Sequence, residues 1–148
     1  MAVIGFHKLE ELFRRGASLD IKKGHAKDIT DIVEEKLYDL LLMGQKSAKY
    51  NGRDVIWKYD LPITKGLEES INEFKKLEQD LDIKDILDRL ATYPPLFELE
   101  IELENSLPEI VGGVTLVLAK VIKQLDKEHR LVSHELIDEA KSILNLSL

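Results

Sequence analysis

Residues 49–62 read KYNGRDVIWKYDLP and crowd Lys49, Arg53 and Lys58 together with Tyr50, Trp57 and Tyr59. Two readings compete: a basic, aromatic grip on an anion, or a joint between two helices. Order within the stretch favours the joint. Asn51 and Gly52 both tolerate positive φ and end a helix. Val55, Ile56 and Trp57 are β-branched or aromatic, enough for a strand of two or three residues and too few for a sheet. Pro62 suits the first turn of a following helix, because its missing N–H would be unpaired there anyway.

The pattern extends in both directions. Upstream, Ile29, Ile32, Val33, Leu37, Leu40 and Leu41 share one side of a run from about His25 to Tyr50, which predicts one long helix. Before it, Phe6, Leu9, Leu12 and Phe13 mark a short helix ending near Gly16, a residue suited to a left-handed cap. Downstream, Ile63, Leu67, Ile71, Phe74 and Leu77 step by four and three and predict a third helix. The second half repeats this order. Leu81, Ile86, Leu87 and Leu90 give a short helix stopped by Tyr93-Pro94-Pro95. Ile110, Val114, Val117, Leu118, Val121, Ile122 and Leu125 give a long helix, apolar nearly all round and so central. Gly112-Gly113 within it costs helix propensity, which predicts a close crossing by another backbone. Leu131-Val132 is strand-sized, and Ser133 caps a last helix bearing Leu136, Ile137, Ala140, Ile143 and Leu144. LFELEIELE, residues 96–104, alternates like a strand. No equally strong partner strand exists and a solitary one would leave backbone groups unpaired, so an acidic loop leading into the long helix is expected.

The chain has 148 residues, 44% of them hydrophobic, enough for one compact domain that buries roughly two-thirds of its unfolded surface. It has no cysteine, which excludes disulfides and thiolate chemistry and suits a reducing cytoplasm. The apolar run Ala2–Phe6 is too short for a signal peptide or a membrane span, so no membrane role is expected. Charged residues reach 33%, a composition leaning toward a thermophile. Residues 1–78 carry 14 basic and 14 acidic side chains, net 0; residues 79–148 carry 7 and 14, so the whole net charge of −7 belongs to the second half. That balance argues against a generic nucleic-acid binder. Within Gly44–Lys58, however, Lys46, Lys49, Arg53 and Lys58 face only Asp54.

Short helix, long helix, strand-sized pair and short helix, given twice, resembles the histone fold written in tandem. NGRDVIWKYD resembles the archaeal histone segment in which Gly-Arg is followed by Ile and then Asp: here Gly52, Arg53, Ile56 and Asp60. The whole chain, through LYDLL, AKYNGRD, DLPI and KGLEE, is similar to a small bacterial family of unknown function with two histone folds in one polypeptide. The resemblance implies an all-α tandem histone fold spanning 1–148, with halves 1–78 and 79–148 packed as an intramolecular pseudodimer around two crossing long helices. It also implies that Arg53 and Asp60 form a salt-bridge clamp. An Arg leaving one helix and an Asp entering the next can meet across such a loop and fix its path. The sequence departs from the histones at Val55, where they carry a threonine that helps bind DNA backbone. In the second half KEHRLVSHEL offers Arg130 and Glu135, five apart instead of seven.

Two functions from different classes follow. The first is a non-enzymatic protein interaction or assembly module, with a protein partner or self-association. The alternative is weak, sequence-independent duplex DNA binding through Lys22, Lys23, Lys46, Lys49, Arg53 and Lys58, with Lys27 nearby and both first-half loops adding on one edge. Against it stand a purely structural role for Arg53 and Asp60 and ordinary solvated lysines. Trp57 and Tyr59 are expected to pack against neighbouring helices rather than stack on bases. His129 and His134 lie off the spacing that puts two imidazoles on one helix face, and His7 and His25 are remote, so no metal is expected. No phosphate-cradling glycine loop, zincin pair or nucleophile elbow is present, and no enzyme activity, cofactor or small-molecule substrate is expected.

Overall fold

The computed structural model describes residues 4–77 and 79–148. Its elements are α1 (Phe6–Ala17), α2 (Ala26–Tyr50), α3 (Lys65–Lys76), α4 (Ile83–Leu90), α5 (Ile101–Leu125) and α6 (His134–Ser147), with single 3₁₀ turns at Lys23–His25 and Lys58–Asp60. The chain is all-α, and short, long and short helices alternate twice.

α5 packs against each of the other five helices. Seven consecutive residues, Ile110–Leu116, are buried, as expected of a helix apolar all round. Within that run Thr115 satisfies its hydroxyl by donating to the Val111 carbonyl at 2.8 Å. By length and mean hydropathy (1.3) α5 matches a membrane-spanning helix, but 67% of that window lies inside this fold. Its apolar surface is spent on its neighbours. The glycine pair explains how they come so close. A Cβ on Gly112 would strike the Phe74 ring, and one on Gly113 would strike Ile71 and lie 3.1 Å from that residue's backbone. Hence α3 crosses α5 at these two residues.

The helix ends refine the expected boundaries. Gly16 lies inside α1, and the left-handed cap is Ser18, at φ 54°. Gly16 is needed for a different reason: its missing Cβ leaves room for Leu116 of α5. Pro62 and Ile63 precede α3, whose N-cap is Thr64, with its hydroxyl accepting from Leu67 N at 3.2 Å. Ser133 caps α6 in the same way, through Leu136 N at 3.3 Å.

Among the described residues the extended pairings are two isolated parallel bridges, Asp20 with Leu131 and Ile56 with Leu99. Each joins a loop of the first half to a loop of the second. Asp20 N donates to the Arg130 carbonyl (2.7 Å) and Val132 N to that of Asp20 (3.0 Å); Ile56 N donates to Glu98 O (2.8 Å) and Glu100 N to Ile56 O (3.0 Å). The segment 96–104 is therefore divided. Residues 96–100 lie outside the helix and Leu99 does have a strand partner, while Ile101 already begins α5.

Candidate functional site

The joint at residues 51–64 is built around one carboxylate. Gly52, at φ 75°, turns the chain out of α2. Arg53 then donates from Nη1 to Asp60 Oδ2 at 2.7 Å and from Nη2 to Oδ1 at 2.9 Å, a two-pronged ion pair. Asp60 also accepts from Ser47 Oγ (3.0 Å) and from the backbone N–H of Trp57 (2.7 Å). Its residue is 8% exposed. The Arg53 hydrogen bonds, helped by those from Trp57 and Ser47 and by the Arg53 charge, hold the Asp60 carboxyl down at about 2 despite its burial. The Arg53 guanidinium lies 3.8 Å from the centre of the Trp57 ring. Arg53 is thus engaged on several sides within its own loop.

The aromatic residues do not pack as expected. Trp57 is 46% exposed and Tyr59 is 88% exposed, because the Lys58–Asp60 turn directs them outward while Ile56 takes the buried place.

The cations singled out by sequence separate into two groups. α2 has 25 residues, a length of about 37 Å, and the first-half loops precede and follow it. Lys22 and Lys23 therefore lie at one end of the helix, with Lys46, Lys49, Arg53 and Lys58 toward the other; they do not share an edge. At the Lys58 end the cross-paired segment contributes Glu98, Glu100, Glu102 and Glu104. Lys58 itself reaches Glu109 at 3.4 Å, and Lys75 reaches the same carboxylate at 3.3 Å. At the Lys22 end, Leu131 brings Arg130 alongside Asp20, which Arg14 and Arg130 both approach at 3.6 Å. Arg130 pairs across the two halves instead of with Glu135. That loop is closed by Asp126, whose carboxylate accepts from His129 Nδ1 at 2.8 Å. Asp126 holds the imidazole above its ordinary pKa, through the hydrogen bond first and its charge second.

His25 and His134, 109 positions apart in sequence (134 − 25), stack with ring centres 6.4 Å apart. His134 lies 3.4 Å from both Asp28 and Asp138. Among the described residues no group of three or more His, Asp and Glu side chains is arranged to hold a metal ion.

Sequence reasoning missed two polar links, one buried and one part-buried. Lys36 is 3% exposed and donates to the Leu148 carbonyl at 3.1 Å, joining the middle of α2 to the end of α6. The signal was available, since position 36 falls on the same helix face as Ile29, Ile32, Val33 and Leu40. Arg89 grips Glu34 with two hydrogen bonds, 3.1 and 2.8 Å, tying α4 to α2; nothing local announces a pair 55 residues apart.

The most apolar concavity lies elsewhere. A groove of about 530 Å³ runs between the start of α3, the C-terminal half of α5 and the end of α6, lined by Leu67, Val117, Val121, Leu125, Ile143 and Leu148. Its rim carries both charge signs. Lys120 is held by Glu73 and donates to Ser70 at 3.0 Å, and Lys65 sits 3.9 Å from Glu69. Leu146, on the same helix end, is 90% exposed.

Comparison with known proteins places most of this chain in one family. Residues 9–145 match the family model described as a domain of unknown function, DUF1931. An uncharacterized protein of Aquifex aeolicus is 36% identical over 141 residues, covering 86% of this chain and 83% of the relative. A second from the same organism is 34% identical over 128 residues, covering 85% and 74%. Among solved structures, a Thermus thermophilus protein superposes with a TM-score of 0.95 at 39% identity, covering 99% of both chains. An Aquifex aeolicus protein superposes with a TM-score of 0.81 at 31% identity, covering 99% of this chain and 97% of the other.

Proposed function

We propose that this chain, which belongs to the DUF1931 family, is an intramolecular pair of histone folds acting as a non-enzymatic assembly module that associates with a second copy of itself. The reciprocal bridges support the paired-fold reading: both loops of each half pair with a loop of the other, as those of two subunits would in a dimer. One observation carries the assembly reading. The groove between α3, α5 and α6 is apolar, and Leu146, one residue before its lining residue Ser147, is exposed at the α6 end that borders it. A twofold pairing needs one patch that is its own complement, with knob beside hole and both charge signs on the rim. Leu146 supplies the knob, and the Lys65, Glu69, Glu73 and Lys120 rim supplies the charges.

Sedimentation velocity over a concentration series tests it. The expected result is a concentration-dependent dimer that Ile143→Glu with Leu146→Glu abolishes, while the far-UV circular dichroism spectrum is kept. A monomer at every concentration, or a dimer indifferent to both substitutions, overturns it.

A second reading, weak duplex DNA binding, is favoured at one end by a specific observation. The Asp20–Leu131 bridge brings Lys127 and Arg130 to the end that holds Lys22 and Lys23, together with Asp126 and Glu128 of the same loop. The other end is disfavoured by Glu98, Glu100, Glu102 and Glu104. Titrating duplex DNA from low to moderate salt distinguishes the ends: Lys22→Glu with Lys23→Glu should remove binding and Lys46→Glu with Lys49→Glu should not. Absence of binding at the lowest salt ends the DNA reading.

A further inference from the structure

At the end of the molecule away from Lys22, the segment 96–100 runs across the surface with Ile56 on one side. The bridge uses Glu98 O and Glu100 N. In a parallel ladder the intervening residue turns its own N–H and C=O the opposite way. Those groups of Leu99 have no hydrogen-bond partner among the described residues. Leu99 also lines a largely apolar groove of about 270 Å³, formed with Leu87 and Leu90 of α4, Leu96 and Phe97, with Glu104 as its charged member. Leu96 is 70% exposed.

The charges at this groove choose its occupant. Glu109 is matched by Lys58 and Lys75, but Glu98, Glu100, Glu102 and Glu104 have no ion-pair partner among the described residues. An unpaired rung supplies main-chain hydrogen bonds to an added strand, and side chains of such a strand alternate between two faces. Here one face lies alongside Phe97 and Leu99 and the other alongside Glu98 and Glu100. We infer that the Leu96–Glu100 edge accepts, as an added strand, an extended protein segment in which apolar and basic residues alternate. This surface is separate from the α3, α5 and α6 groove and does not depend on self-association through it.

The test uses the full chain, labelled with ¹⁵N, and two synthetic peptides of about eight residues, one alternating valine and lysine and one alternating proline and lysine. Their charge is the same, but the second lacks half of its amide donors. The valine peptide should bind saturably, shift the amide signals of residues 96–101 most and slow hydrogen exchange at Leu99. The proline peptide should bind about tenfold more weakly, the cost of a lost hydrogen bond or more. Leu99→Pro, which removes the edge N–H, should weaken the valine peptide by a similar factor. Glu98→Lys with Glu102→Lys, at exposed positions that leave the backbone intact, should do so even where Leu99→Pro fails to fold. Equal binding of both peptides, shifts centred on another acidic surface, or no binding overturns the inference. So does slowed exchange at Leu99 on raising protein concentration without peptide, which would seat a second copy there.

Discussion

Asp60 is the residue on which the joint after α2 depends, because it answers Arg53, Ser47 and the Trp57 N–H at once. Its pH signature has a definite sign. The folded carboxyl titrates at about 2 and the free one at 3.8, so its stabilisation is complete above pH 4 and is lost as pH falls from about 4 toward 2. Thermal melts between pH 2 and 5 should show a steep loss in the natural protein and a shallower one in Asp60→Asn. Identical slopes would remove Asp60 as the source. Asp60→Ala should cost about 2–4 kcal/mol at neutral pH by urea denaturation, since it removes the shared acceptor of Arg53, Ser47 and the Trp57 N–H and leaves Arg53 only the Val55 carbonyl at 3.3 Å. The clamp was legible through the resemblance to the histones, whose motif places both partners seven residues apart in one loop. Arg89–Glu34 and Arg130–Asp20 were not, because their spacing is set by tertiary packing. Lys36 was obscured by its charge: at a core-facing position, residue type and periodicity disagreed, and periodicity was right.

Among the elements, the crossing of α3 over α5 makes the clearest demand. Helix propensity alone predicts that Gly→Ala stabilises by about 1 kcal/mol. At Gly113, where Ile71 is already in contact, the sign should reverse to a loss of about 1–3 kcal/mol. Gly66, near the start of α3 with nothing within 4 Å of its would-be Cβ, should follow propensity and gain about 0.5–1 kcal/mol as alanine. Urea denaturation of the three proteins decides it; a gain at Gly113 would mean that α3 and α5 lie farther apart. The glycine pair announced its crossing because two adjacent helix breakers in an apolar helix need a reason. Gly16 announced a cap and delivered a contact, since its partner Leu116 lies 100 residues away (116 − 16). In 96–104 the expected loop into the long helix describes residues 96–100 apart from Leu99, whose one bridge partner, Ile56, is far too short a signal to read.

For the whole molecule, the order of helices was legible and the exchange of loops between halves was not, because periodicity reports which face is buried and not by whom. That exchange separated two basic loops expected on one edge and set one of them beside glutamates. It also predicts that neither half stands alone. Polypeptides 1–78 and 79–148 should each show little helix by circular dichroism, and an equimolar mixture should regain it cooperatively; a half that melts cooperatively by itself would contradict this. The Asp20–Leu131 bridge has a further consequence in time. Its partners are 111 residues apart (131 − 20), so at a synthesis rate of about 5–20 residues per second Asp20 waits roughly 5–20 s for its partner to be made. From the completion of α3 until α5 has been made, the ribosome holds a nascent chain whose first three helices lack the helix they are shaped to cover, and their apolar faces wait for the last third of the protein.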